Sequence, residues 1–135
     1  MIQRYRAWHR ELGRMMLIKN MWFQDGSVEE LELNDTVMND YITAYPDEIE
    51  LMQSTSLRDM NNREIFEGDI ISDGHTSRDI RHHQTLGFYT IDGNGVEEFF
   101  GDTASLEDFE ETSKYMSENI EIIGNIYENK ELLDA

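Results

Sequence analysis

The chain has 135 residues, the size of one ordinary domain and enough to bury a core without covalent staples. It contains no cysteine, which excludes a disulfide framework and a thiolate metal site. Its net charge of −18, from 29 acids against 11 bases, disfavours general contact with nucleic acid or anionic membrane.

A hydrophobic fraction of 39%, with six Phe, six Tyr and two Trp, is too rich for a disordered chain. Apolar runs such as Met15-Met16-Leu17-Ile18 fall far short of the roughly 20 residues a membrane helix needs. No apolar stretch follows Arg4 and Arg6, so no signal peptide is expected and the protein reads as cytoplasmic. The charge is uneven. Residues 1–20 hold Arg4, Arg6, Arg10, Arg14 and Lys19 against Glu11 alone, whereas residues 92–111 contain eight acids and no base. The basic N-terminus can close against the acidic body within one chain or between two copies, which leaves a homo-oligomer open.

No repeat, low-complexity tract or Pro/Gly/Ser linker interrupts the chain, so residues 1–135 read as one domain. Tyr5–Trp8 and Met15–Ile18 flank a polar stretch with Gly13 and predict a hairpin. Met21–Phe23 and Val28–Leu33 flank Asp25-Gly26-Ser27, where the Asp-Gly pair suits a tight turn. Residues 34–48 carry no clear pattern. Ile49–Met52 predicts a strand, and Ile65-Phe66 and Ile70-Ile71 surround a bend at Glu67-Gly68-Asp69. Residues 73–83 read as a polar, mobile loop. Leu86–Ile91 and Val96–Phe100 bracket Asp92-Gly93-Asn94-Gly95, the clearest hairpin signal. Ser105 suits a helix N-cap, and Leu106, Phe109 and Met116 then share one face. Ile120–Tyr127 predicts a last strand. Many short strands with one late helix indicate a mainly β fold, a small barrel or sandwich.

Three segments together resemble one family. They are Arg4–Trp8, the long stretch Leu51–Ile71 containing Leu57-Arg58-Asp59-Met60-Asn61-Asn62-Arg63-Glu64-Ile65-Phe66-Glu67-Gly68-Asp69, and the closing Ile122–Leu133 with Ile122-Ile123-Gly124-Asn125-Ile126-Tyr127. Their order and placement are similar to the YopX family, small proteins carried mostly by bacteriophages and prophages. The family's middle pattern has glycine where this chain has Ser56 and Asn62. The resemblance implies a mainly β domain, a small SH3-like barrel with peripheral hairpins and one short helix. It implies no assigned activity and brings no catalytic residues. The same segments predict one core from Trp8, Leu51, Ile65, Phe66, Ile70, Ile122 and Ile126, with Gly68 and Gly124 at bends or close contacts.

Three stretches carry residue types that could do chemistry. His75, His82, His83, Asp73 and Asp79 are of metal-ligating type, yet Arg78 and Arg81 sit among them and adjacent histidines diverge on an extended chain. No metal and no cofactor is therefore expected. Glu67 and Asp69 form a carboxylate pair without a nucleophile, and they read as structural. The N-terminal arginines interleaved with Tyr5 and Trp8 resemble a nucleic-acid patch, but the overall charge favours pairing with nearby acids and no direct nucleic acid or membrane contact.

The leading expectation is a non-enzymatic phage or prophage accessory protein that binds a host or phage protein. Its candidate recognition surface is Asp92, Glu97, Glu98, Asp102, Glu107, Asp108, Glu110 and Glu111. The alternative is an acidic DNA mimic that occupies the basic groove of a nucleic-acid-binding protein. A metal-dependent hydrolase built on the histidine-rich stretch ranks third.

Overall fold

The computed structural model describes residues 4–35, 40–85, 87–99 and 106–133, with the backbone alone for Phe99 and for Leu106, Glu107 and Asp108. The chain forms two compact units, Met1–Gln53 and Ser54–Ala135.

The first unit is built from β1 (Tyr5–His9), β2 (Arg14–Gln24), β3 (Ser27–Asp35), β4 (Asp40–Ala44) and the first half of β5 (Ile49–Arg58), all antiparallel. Gly13 closes the β1–β2 hairpin at φ +62° and donates its N–H to the His9 carbonyl at 2.8 Å. The buried His9 ring helps there, its Nδ1 accepting the Leu12 N–H at 3.2 Å. At the next hairpin Asp25 and Gly26 both have positive φ, which is why an Asp-Gly pair fits a two-residue turn. The two expected segments Met15–Ile18 and Met21–Phe23 are one strand. A register shift between Ile18 and Asn20 lets Ile18 and Met21 face the same core despite their odd spacing.

Alternation along β3 buries Leu31, Leu33 and Asp35, and they join Ala7, Met16, Ala44 and Ile49 on one side of the sheet. Asp35 is paired with Arg14, so its burial leaves no isolated charge. Within the patternless stretch 34–48, the described residues from 40 on form β4 and a 3-10 turn over Pro46–Glu48. Tyr45 before the proline is extended, and its N–H donates to Glu48 Oε1 at 2.9 Å.

The second unit contains the rest of β5, then β6 (Glu64–Phe66), β7 (Asp69–Ser72), β8 (Ser77–His83), β9 (Gly87–Asp92), β10 (Glu97–Phe99), α1 (Leu106–Asn119) and β11 (Glu121–Asn125). Strand order is β4-β3-β2-β1-β5-β6 in one antiparallel sheet and β10-β9-β8-β7-β11 in the other. The fold is mainly β with one helix, as expected. Among the described residues neither sheet closes into a barrel, so the SH3-like closure implied by the resemblance is not seen. No helix among them is long and apolar enough to cross a membrane.

Two expectations need correction. Residues 73–83 are not a loop: Ser77–His83 is β8, hydrogen-bonded to β7 on one side and β9 on the other. A strand this polar is tolerated because its one buried charge is matched. Buried Asp79 accepts from Arg81 Nε at 2.8 Å, and Arg78 makes a largely exposed pair with Glu98. The tight turn before it is held by Asp73, whose carboxylate accepts the N–H groups of His75 and Thr76 at 2.8 Å each.

The single expected core is instead two clusters. Leu57, Ile65, Ile71, Ile80, Met116 and Ile120 form the second, with Phe88, Phe109 and Ile122 against it. Ile65, Phe66 and Ile70 are buried, whereas Trp8, Ile122 and Ile126 are half-buried and Leu51 is 39% exposed. The reason lies in β5. Ile49 and Met52 are both buried, a spacing of three, so the covered face of the strand changes between them. Leu51 shares the Ile49 face just where that cover ends.

Candidate functional site

The segment that carries the family resemblance is occupied with holding its own backbone. Ser56 and Asn62, which stand where the family pattern has glycine, have φ of +65° and +62°. Both positions thus require the left-handed region that glycine enters most easily. Asp59 is fully buried. Its Oδ1 accepts the N–H groups of Asn61 (3.0 Å) and Arg63 (2.9 Å), and its Oδ2 accepts the Ile122 N–H (2.9 Å) and the Arg63 guanidinium (3.3 Å). Burial pushes this carboxyl up, but the Ile122, Arg63 and Asn61 amides together outweigh it and hold it below the usual carboxylate range.

Gly68, at φ +88°, turns the chain from one sheet to the other, and buried Asp69 accepts the Phe66 N–H at 2.7 Å. Gly68 and Asp69 thus hold the bend that the sequence places at Glu67-Gly68-Asp69. Gly124 is also where close contact demands it, since a Cβ there would lie 2.6 Å from Asn129 Oδ1.

A groove of about 300 Å³ lies elsewhere in the second unit, between one face of the second sheet and α1. Register explains its lining. Arg78 stands opposite Ile71 and Asp92, and Thr90 opposite Ile80 and Glu98, so these six residues share one face. The Arg78 guanidinium donates to Glu98 Oε2 at 3.0 Å and to Thr90 Oγ1 at 3.5 Å. From the helix come Thr112, Tyr115 and Met116, and Ile120 follows at its end. Ile71, Met116 and Ile120 make an apolar floor, while the Tyr115 side of the helix is open, with that residue 53% exposed. The site thus combines apolar contact area, hydroxyl groups and one accessible ion pair. That mixture suits recognition of a side chain or small ligand.

Of the eight acids expected to form a recognition surface, the structure describes the side chains of Asp92, Glu97, Glu98, Glu110 and Glu111. Asp92 is used by the β9–β10 turn: its Oδ1 accepts the N–H groups of Asn94 (2.9 Å) and Val96 (3.0 Å). Val96, more than any other partner, holds this carboxyl below the usual range, with the Arg78 charge adding to it. Glu97 and Glu98 turn to opposite faces, and only Glu98 reaches the groove. Glu110 and Glu111 are exposed on α1. Asp102 and the side chains of Glu107 and Asp108 lie outside the described residues, as do Ser105 and the Leu106 side chain. Phe109 and Met116 of the helix stripe pack into the second core.

The histidine-rich stretch does not converge. The His82 ring packs on Phe88 with centroids 4.7 Å apart, and His83 Nδ1 accepts the Thr85 N–H at 3.1 Å. Among the described residues no three His, Asp or Glu side chains are placed to hold a metal ion. The N-terminal bases pair with acids of their own unit: Arg10 with Glu50 at 2.6 Å, Arg14 with Asp35, and Lys19 with Glu32 at 3.4 Å. Sequence reasoning missed Ile71, Thr76, Thr90, Thr112, Tyr115 and Ile120 as groove residues. One signal was available, the alternation of Arg78 and Ile80, which marks a strand face shared by a charge and a core side chain.

A family model described as "YopX protein" matches residues 4–134. The chain is similar in structure to the protein EF1440 from Enterococcus faecalis, at a TM-score of 0.62 and 24% identity. That match covers 98% of this chain and 99% of the other. No curated protein matches. The structural likeness concerns the fold alone.

Proposed function

The chain belongs to the YopX family, and we propose that it is a non-enzymatic accessory protein of phages and prophages that binds a protein partner in the host cytoplasm. The observation that supports this most is the groove of the second unit, where an apolar floor, three threonines and the exposed Tyr115 surround the Arg78–Glu98 pair. Such a surface offers both contact area and orientation to a docking side chain. A DNA mimic would need its carboxylates in a spaced array on one face, but Asp92 is used by its own turn and Glu97 and Glu98 turn to opposite faces of β10. The groove, with the exposed carboxylates beside it, is the better-supported contact surface.

The test compares proteins retained from a bacterial host lysate by the immobilised wild type and by two variants. Thr112→Trp fills the groove, and Glu110→Lys with Glu111→Lys reverses charge on the helix. A partner held by the wild type is expected to be lost with Thr112→Trp. Retention of the same partners by both variants, at low and moderate salt, would rule the groove out as the contact surface.

A further inference from the structure

We infer that the groove takes a cationic side chain with an apolar stem, a lysine or arginine presented by a basic protein partner. This rests on the reading of the groove as a partner-binding surface and names what it accepts. The size of the cavity, about 300 Å³, is at the small end of ligand sites and suits one long side chain. Its floor of Ile71, Met116 and Ile120 can cover methylene groups, which lysine and arginine bury while their charged ends stay in water.

The sign of the ligand follows from the local charge. Asp73 and Glu98 line the groove and Asp92 stands opposite Arg78, the one lysine or arginine among the described lining residues. Asp73 and Asp92 each commit Oδ1 to backbone amides and keep their charge, since those amides hold both carboxyls below the usual range. Glu98 is the one suited to direct contact. It meets Arg78 through Oε2 and its side chain is 70% exposed, so a partner reaches this carboxylate without breaking a buried bond. An incoming carboxylate or phosphate would have to displace Glu98 from Arg78 in a field already negative. An incoming cation adds a second partner to Glu98, and the net charge of −18 attracts it from a distance. Tyr115 at the rim offers a ring face to the same charge.

The experiment titrates the protein with three acetylated, amidated tripeptides, Lys-Lys-Lys, a norleucine counterpart and Glu-Glu-Glu, and follows resonances of Thr112, Tyr115 and Met116. The lysine peptide is expected to shift all three. Its affinity should fall at least fivefold in Glu98→Gln and in 300 mM against 50 mM salt. Glu98 is so exposed that the Gln variant keeps its fold, and Tyr115→Ala serves as a second variant with the same expected direction. Equal binding of the norleucine peptide, preference for the glutamate peptide, or lysine-induced shifts confined to residues outside the groove each overturn the inference. If the lysine peptide fails while Thr112→Trp still loses a partner from lysate, only the cationic ligand is wrong. If Thr112→Trp also changes nothing, the binding reading falls with it.

Discussion

Replacing Asp59 by alanine removes one buried carboxylate and leaves the N–H groups of Asn61, Arg63 and Ile122 without their acceptor. A hydrogen bond to a charged group contributes about 1.5–3 kcal/mol, but bonds converging on one acceptor do not simply add. Water can reach the exposed turn at Asn61 and Arg63 and recover part of the loss there. The Arg63 ion pair adds little, because its guanidinium is half exposed. The net cost for Asp59→Ala is about 3–4 kcal/mol, a large share of the 5–15 kcal/mol by which domains are stable. Asp59→Asn keeps one oxygen as acceptor and turns an NH2 toward the remaining donors, so it should lose roughly half as much.

Urea unfolding followed by circular dichroism measures both variants. The folded pKa of Asp59 lies below its ordinary 3.8. Its contribution is therefore complete above the usual carboxylate range and is lost as pH falls through the folded value. The gap between wild type and Asp59→Asn should narrow from about pH 5 downward. A loss below about 1 kcal/mol for the alanine variant, or a gap unchanged down to pH 2, would refute the role assigned to the ionised carboxylate.

Asn62→Gly should stabilise the protein by about 0.5 kcal/mol and Asn62→Val should cost about 1–2 kcal/mol, because position 62 is left-handed. Thermal unfolding of the pair decides it, and a valine variant as stable as wild type would contradict the backbone argument. Gly124→Ala should cost about 1–3 kcal/mol, since the new methyl meets Asn129, whose Oδ1 accepts the Asn125 N–H at 3.2 Å. A urea midpoint equal to that of the wild type would show that Asn129 moves aside freely. Arg78→Met should leave stability within about 1 kcal/mol, because its partner Glu98 is mostly exposed. The same urea titration checks this, and a larger loss would mean that Arg78 supports the strand rather than the groove.

The hairpins at Gly13 and Asp25-Gly26 were legible because turn chemistry is local, and so were the bends at Gly68 and Gly124. The strand Ser77–His83 was not, since its charges looked solvated until their partners, Asp79 with Arg81 and Arg78 with Glu98, were in view. The Asp79–Arg81 pair lies within one strand and shows only once β8 is known to be extended, whereas Arg78–Glu98 depends on register between strands, which no short window contains. The same holds for the groove. Ile71, Thr90 and Tyr115 lie far apart in the chain, and pairing and helix placement bring them together. The acidic run 92–111 was visible as composition, but composition did not reveal that Asp92 serves a turn or that Glu97 faces away from Glu98.

The boundary between the two compact units falls after Gln53, inside β5. On one side of it Ile49–Gln53 are bonded to β1, and on the other Ser54 and Arg58 pair with β6. Modules that recombination can trade are joined by exposed stretches with few bonds to break. Here a cut would tear a strand in two and leave each fragment with a raw edge, an invitation to aggregate. Neither piece is thus a ready unit of exchange, and the family match covers both, from residue 4 to 134.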